Sequence, residues 1–363
     1  MTEDLGTAQR RVDPTTTASS APTATGRVRS PASIVDVAAL AGVSAQTVSR
    51  VSTGYAGVRA ATRERVLAAM DTLGYVPNSA ARALKFGSFR TIGVVAHQLA
   101  RTGESRTVEA VVEAARQEGY GVTLVEVRNP STEDVTDAVA GLAAMAIDGL
   151  VIIRAEAVGP DTLVLPPHIP VVVSDSRFVG HLPAVATDQA SGTRQAVEHL
   201  LGLGHTSVSH VAGPAGSRPG TERLEAWAAT LRAAGHPVPA PYRGDWTARS
   251  GYTVGDQVAD DVAAGRVSAV FCANDQMALG LMRALYEHGL RVPDDVSVVG
   301  FDDIPESAYF WPPLTSVAQD FHRVGERLVS LLFEQIRGGA RPDTHVLVPV
   351  ELKVRQSTAP PRA

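Results

Sequence analysis

Two short stretches with helical spacing of apolar residues meet at Gly42-Val43-Ser44. In the first, Val35, Ala38, Ala39 and, at its margin, Leu40 form one apolar stripe, and Gly42 supplies the backbone freedom a tight corner needs. Val43 closes the corner. Ser44 is placed to N-cap the second stretch, in which Val48 points inward while Ala45, Gln46, Thr47, Ser49 and Arg50 point outward. The pattern predicts a helix-turn-helix whose second helix suits the major groove, where Gln pairs with adenine, Arg with guanine, and small apolar groups meet thymine methyls. A plain helical hairpin would not set so many hydrogen-bonding groups outside so small an apolar face. Val66, Leu67, Met70 and Leu73 continue the helical period over 62–73, ended by Gly74, and complete a three-helix head.

The segment from Tyr75 to Lys85 is helix-prone but holds one bulky aliphatic side chain within it, Leu84. A helix of about eight residues is marginal in water, so this one is expected to form only against a partner or DNA. It reads as a hinge whose Leu84 wedges between base steps in a minor groove, or as a plain linker with Leu84 docked on the next domain.

From Thr91 onward apolar runs alternate with helical patterns, which predicts parallel α/β sheets. Strands are expected at 91–96, 121–126, 149–153, 170–174, 208–212, 269–273 and 296–300. Helices are expected near 106–118, 131–145, 191–203, 221–234, 250–264, 275–289 and 320–337. About 270 residues in this rhythm exceed one sheet and suggest two lobes, with a ligand cleft at the carboxyl ends of the strands.

Charge sharpens the division. The chain carries −5 overall, yet 26–90 holds nine Lys/Arg against three acids, a local +6, and 91–363 carries −10. A basic DNA-binding head on an acidic body fits that asymmetry. No stretch of eighteen uncharged apolar residues appears, so no membrane partner is expected. A single cysteine, Cys272 in an apolar run, excludes an internal disulfide framework or a cysteine-type zinc cluster and fits the cytoplasm. Residues 1–31, rich in Thr, Ala, Ser and Pro, read as a disordered tail without a signal-peptide core.

At the expected strand ends stand Asp175, Asn274-Asp275 and Asp302-Asp303; Arg223 lies on the helix after a Gly-Pro loop, and Trp246 in Gly-Asp-Trp. Carboxylates, an amide, an arginine and an indole suit a sugar, whose hydroxyls donate and accept while its C–H face stacks on an aromatic ring. A sugar-transport protein would share this cleft but needs a signal peptide and no basic head. Asp175 and Asp302 could in principle act as acid and base of a glycosidase. Yet no P-loop, GxGxxG, HExxH or GxSxG is present, and no enzyme activity, cofactor or metal is expected.

Asp36-Val-Ala through Ala45-Gln-Thr-Val-Ser-Arg50, Tyr75-Val-Pro-Asn78, Gly244-Asp-Trp-Thr-Ala-Arg-Ser-Gly251, Ala273-Asn-Asp-Gln-Met-Ala-Leu-Gly280, Val298-Val-Gly-Phe-Asp-Asp303 and Pro312-Pro-Leu-Thr-Ser through Gln319-Asp-Phe321 carry a resemblance to the LacI/GalR family of bacterial transcriptional repressors, from about 32 to 360. The resemblance implies an all-α helix-turn-helix head and a two-lobed core like periplasmic sugar-binding proteins. It implies that Ala45, Gln46 and Arg50 face bases, that Leu84 is the minor-groove wedge, and that Ser44, Thr47, Ser49, Thr53, Asn78, Ala81 and Lys85 belong to the same DNA-facing surface. Thr53 replaces an Asn usual at a phosphate contact, and Arg59 stands where an N-cap is usual. Asp175, Arg223, Trp246, Asn274, Asp302, Gln319 and Phe321 match positions that contact sugar in similar repressors. His97, Arg101, Gly103, Glu104 and Thr107 replace a small apolar patch of the first lobe, which implies a more polar or larger substituent on the ligand, such as a second sugar unit.

The expected domains are a head at 32–76, a hinge and linker at 77–90, a first lobe from 91–188 plus 320–347, a second from 189–319 plus 348–357, and a tail at 358–363. The chain ends at Pro360-Pro-Arg-Ala without the leucine-heptad tetramerisation helix known in the family, so a homodimer on a near-palindromic double-stranded operator is expected, associated with the nucleoid. The expected mechanism is repression relieved by a sugar or glycoside in the cleft, with corepression on the same scaffold as the alternative.

Overall fold

The computed structural model describes residues 32–76, 87–127, 131–153, 162–174, 178, 180–338 and 344–362. Asn78, Ala81, Leu84, Lys85 and Asp175 lie outside these residues, as do the hinge at 77–86 and the N-terminal tail. The chain divides into two compact units, one ending at Asn78 and one beginning at Ser79.

The first unit holds three helices: α1 (Ile34–Ala41), α2 (Ala45–Ser52) and α3 (Ala60–Leu73). Ser33 caps α1 in a reciprocal capping box with Asp36, and Gly42 closes it at φ 63°, the left-handed conformation the sequence required there. Val37, Ala38, Ala41, Val48, Val66 and Met70 form the core. The expected stripe is one register off: Val35, Ala39 and Leu40 are exposed, and so is Leu67 on α3. The buried set of α1 steps i, i+3, i+4, i+7 from Ile34, and its alanines let helices approach closely. Val35 and Leu40 pointed to the wrong face because half of the right one, Ala38 and Ala41, is alanine.

The second unit contains two six-stranded sheets. The first has strand order β11-β5-β4-β3-β1-β2, all parallel, from β1 (Thr91–His97), β2 (Gly121–Val127), β3 (Gly149–Ile153), β4 (Val171–Ser174), β5 (Ala184–Thr187) and β11 (His345–Val348). The second has order β12-β10-β9-β8-β6-β7, from β6 (Val208–Ala212), β7 (Tyr242–Arg243), β8 (Ala269–Cys272), β9 (Ser297–Asp302), β10 (Thr315–Gln319) and β12 (Val350–Lys353). Only β12 runs antiparallel to its neighbour. Helices cover both sheets: α4 (Thr102–Gln117), α5 (Thr132–Ala144) and α11 (Phe321–Ile336) the first; α6 (Gln189–Gly202), α7 (Arg218–Ala233), α8 (Ala248–Thr253), α9 (Gly255–Ala263) and α10 (Asp275–Glu287) the second. The single helix expected over 250–264 is two. Gly251 and Gly280 explain the local crowding: a Cβ on either would fall inside the backbone of the facing helix, so α8 and α10 cross at backbone contact.

The chain passes between the sheets three times. Asp188, Asp320 and Pro349 are the single residues between β5 and α6, β10 and α11, and β11 and β12. Asp188 and Asp320 accept the amides of Ser191 and Arg323 as N-caps, and the Asp188 amide donates to Val348 O, tying the first crossing to the third.

Two anchors fix chain ends to the core. The Asp148 carboxylate accepts Ser88 Oγ at 2.6 Å and the amides of Phe89 and Arg90, both at 2.8 Å, clamping the segment that enters β1. Residues 358–362, expected as a tail, are instead held: Ala359 exchanges hydrogen bonds with Ser297 and its carbonyl accepts from His205 Nε2, and Arg362 pairs with Asp295.

Candidate ligand cleft and DNA-reading helix

In the first unit, Ser44 Oγ accepts the Thr47 amide at 3.2 Å and lies 3.0 Å from Thr47 Oγ1. This cap fixes where α2 begins and leaves Gln46 and Arg50 exposed, with Ala45, Thr47 and Ser49 half-buried. The Arg50 guanidinium stands 5.5 Å from the Tyr55 ring centroid. Thr53 turns its hydroxyl back onto Ser49 O and Arg50 O, and Arg59 begins α3 without a side-chain cap.

In the second unit a cavity of about 350 Å³ lies at the carboxyl ends of the strands. The loop after β1 and the first turn of α4 line one side with Gln98, Arg101 and Glu104; Arg223, Trp246, Asn274 and Asp302 line the other. The structure thus unites six expected residues. Gln319 joins them indirectly, donating from Nε2 to Asp302 Oδ1 at 2.6 Å. His97 is buried at the end of β1 and Phe321 lines a different depression beside Arg106 and Glu109; neither lines the cavity.

A buried polar network organises the second-lobe wall. Arg223, 2% exposed, donates to Asp302 Oδ1 at 3.3 Å, to Gln189 Oε1 at 2.8 Å and to Ala273 O, and Gln189 donates onward to Gln319 at 3.1 Å. Its guanidinium also lies 3.7 Å from the Phe301 ring centroid and 5.4 Å from that of Trp246. Removing two charges from water is costly unless their partners are fixed, and this chain of amides and carbonyls fixes them. Gly213 makes room for the indole: a Cβ there would come within 2.6 Å of Trp246. Trp246 and Asp302 adopt φ of 77° and 103°, sparsely populated for residues with side chains. Trp246 Nε1 is buried without a hydrogen-bond partner among the described residues. Asn274 is differently employed. Its Oδ1 caps α10 by accepting the Met277 amide, and its Nδ2 donates to Trp246 O and Gln276 Oε1, so it positions Trp246.

Beneath the cavity, Asp275 accepts the Ile304 amide and the hydroxyls of Ser307 and Ser316. Burial, reinforced by neighbouring Asp302, pushes its carboxyl up to about 7. Across the cavity Gln276 donates to Thr102 Oγ1, a direct bond between lobes. Gln98, Gln189, Asp245, Thr247 and Gln276 were not anticipated, because each acquires meaning only from a neighbour distant in sequence or from loop geometry.

Residues 33–78 match the lacI family of bacterial regulatory proteins, and residues 197–358 match a periplasmic binding protein-like domain. The chain is 38% identical to the lactose operon repressor of Escherichia coli (strain K12) over 337 residues, 91% of this chain and 92% of that protein. It belongs to the LacI family. As a LacI-family repressor it couples a DNA-binding helix-turn-helix head to a ligand-binding core. The fold agrees with the lac repressor dimer bound to operator and the anti-inducer ONPF (TM-score 0.78, 37% identity, 91% of this chain and 100% of that one). It also agrees with a transcriptional regulator CelR-cellobiose complex (TM-score 0.66, 31% identity, 90% of this chain and 99% of that one).

Proposed function

We propose that this repressor is released from its operator by a neutral sugar or glycoside held between the lobes, where Asp302 and Arg223 grip hydroxyls and Trp246 forms the apolar wall. The observation carrying this reading is the buried Arg223–Asp302–Gln319–Gln189 network beside the indole, a set of fixed donors and acceptors at a cavity wall. Among the described residues both cations lining the cavity face a carboxylate, Arg223 with Asp302 and Arg101 with Glu104, and Asp245 adds a third carboxylate, which suits an uncharged polyol better than an anion. The relatives with ONPF and with cellobiose are consistent with this class. Asp175 is proposed as a further contact.

On the DNA side, Gln46 and Arg50 read base edges, and Leu84 of the hinge enters a minor groove. The working unit is a homodimer on a near-palindromic operator, as in the lac repressor dimer. Tyr309 and Trp311, 87% and 94% exposed, with Leu279 and Tyr286 on α10, offer the apolar surface a second copy would cover. The protein acts in the cytoplasm as a binding protein without catalytic turnover. Effector favours one of two arrangements of the lobes and thereby lowers operator affinity.

The test uses a duplex selected by the protein from random sequence, with binding followed by anisotropy across a panel of sugars. Arg223→Ala should bind this duplex like the parent but need at least about tenfold more sugar for release, since a hydrogen bond to a charged group is worth about 1.5–3 kcal/mol. Release at the parent's sugar concentration would remove Arg223 from the site. Sugar that tightens DNA binding in the parent would replace induction with corepression.

A further inference from the structure

Helix α2 ends in a turn, Thr53-Gly54-Tyr55-Ala56-Gly57, that folds one aromatic ring back toward the helix. Gly54, at φ 74°, donates its amide to Val51 O at 3.0 Å, and the Tyr55 amide donates to Arg50 O at 3.0 Å. This is the Schellman pattern of a helix C-terminus, in which the residue after the glycine meets one five positions earlier, here Arg50. The Arg50 guanidinium stands over the Tyr55 ring, 5.5 Å from its centroid, within the range of a cation–π contact. Two further residues favour the arrangement. Arg63 of α3 donates from Nη2 to Tyr55 O at 2.7 Å, tying the turn to the third helix. Gly57 leaves the space the ring occupies, since a Cβ there would collide with Tyr55 Cε1.

Arg50 and Tyr55 are both exposed, the tyrosine 55%, so the pair lies outside the core of the head. A carboxylate beside Arg50 would engage its N–H donors and cancel its charge. A ring face does neither, and leaves all five donors available to a base. What the ring removes is freedom: an exposed arginine samples many rotamers, and one already held in place loses less on pairing with the two acceptors of a guanine.

We propose that Tyr55 is a specificity-determining positioning residue, whose ring aims the Arg50 guanidinium at one base pair of the operator. This rests on the reading of Arg50 as a base contact and adds the residue that directs it.

Anisotropy titrations of the full chain with the selected duplex, with each of its single-base-pair variants and with random duplex test it, in the parent, Arg50→Ala, Tyr55→Leu and Tyr55→Phe. The pair read by Arg50 is the one whose replacement weakens the parent and leaves Arg50→Ala indifferent. At that pair Tyr55→Leu, which keeps bulk at the turn but has no ring, should discriminate at least about threefold less than the parent, the size of an exposed cation–π contact. Tyr55→Phe should stay within about twofold of the parent, and Tyr55→Leu added to Arg50→Ala should change nothing further there. Full discrimination by Tyr55→Leu, or a loss spread equally over all base pairs and random duplex, overturns the positioning role and leaves Arg50 as the base contact. If no base pair meets the Arg50→Ala criterion, the reading of Arg50 falls and the proposal falls with it.

Discussion

Buried polar side chains of the second lobe fall into two kinds. Arg223 is held at a cavity wall by hydrogen-bond partners from three segments, whereas His210 sits inside the core. The His210 ring stacks on Phe271 at 4.8 Å, its Nδ1 lies 2.9 Å from Phe271 O, and burial drives its pKa down to about 3. The unfolded histidine takes up a proton near its ordinary 6.5 and the folded one does not until about 3, so His210 withdraws stability as pH falls through that window. The denaturant midpoint of the parent should therefore fall relative to that of His210→Phe from pH 7.5 to pH 4.5; a constant difference would mean that His210 titrates alike in the folded and unfolded chains. Asp275, raised to about 7, has the opposite sign but is present in both proteins and cancels. Asp302 and Trp246 could be picked from the sequence because strand ends and a Gly-Asp-Trp loop mark them. Gln189 could not, since its role comes from Arg223, 34 residues away.

Among the elements, α2 has the clearest division of labour: Val48 and Val51 are buried, and Gln46 and Arg50 are exposed. Arg50→Ala should weaken binding to the selected duplex by about 1–3 kcal/mol and binding to random duplex far less; equal losses would make Arg50 a phosphate contact. At the start of β3, Asp148→Ala removes three hydrogen bonds to the segment entering β1. Stability should fall by about 1–3 kcal/mol, with faster hydrogen exchange at Phe89 and Arg90; unchanged exchange there would mean that the clamp is not what holds the segment. The seven apolar strands were legible as uninterrupted runs. β5, β7, β10, β11 and β12 were not: they have two to five residues each, and β10 reads Thr-Ser-Val-Ala-Gln. Thr315 and Ser316 are buried because Ser357, Thr358 and Asp275 satisfy them, information no local pattern carries.

For the whole molecule, the change of period at Thr91 and the charge contrast foreshadowed two units, and the parallel rhythm foreshadowed two sheets. What periodicity could not supply is how the chain is shared between those sheets. Because it passes between them at Asp188, Asp320 and Pro349, neither lobe is a continuous stretch of sequence. A chain cut short anywhere before β11 leaves the first sheet without an edge strand and the second without β12, so no fragment ending there contains one finished half of the sensor. The core should lose structure in one concerted transition, with near- and far-ultraviolet circular dichroism of residues 87–363 superimposing during denaturation; separate midpoints would show that each lobe can stand alone. Premature termination or proteolysis within the core should therefore yield no half-sensor that still binds ligand, only chains destined for degradation.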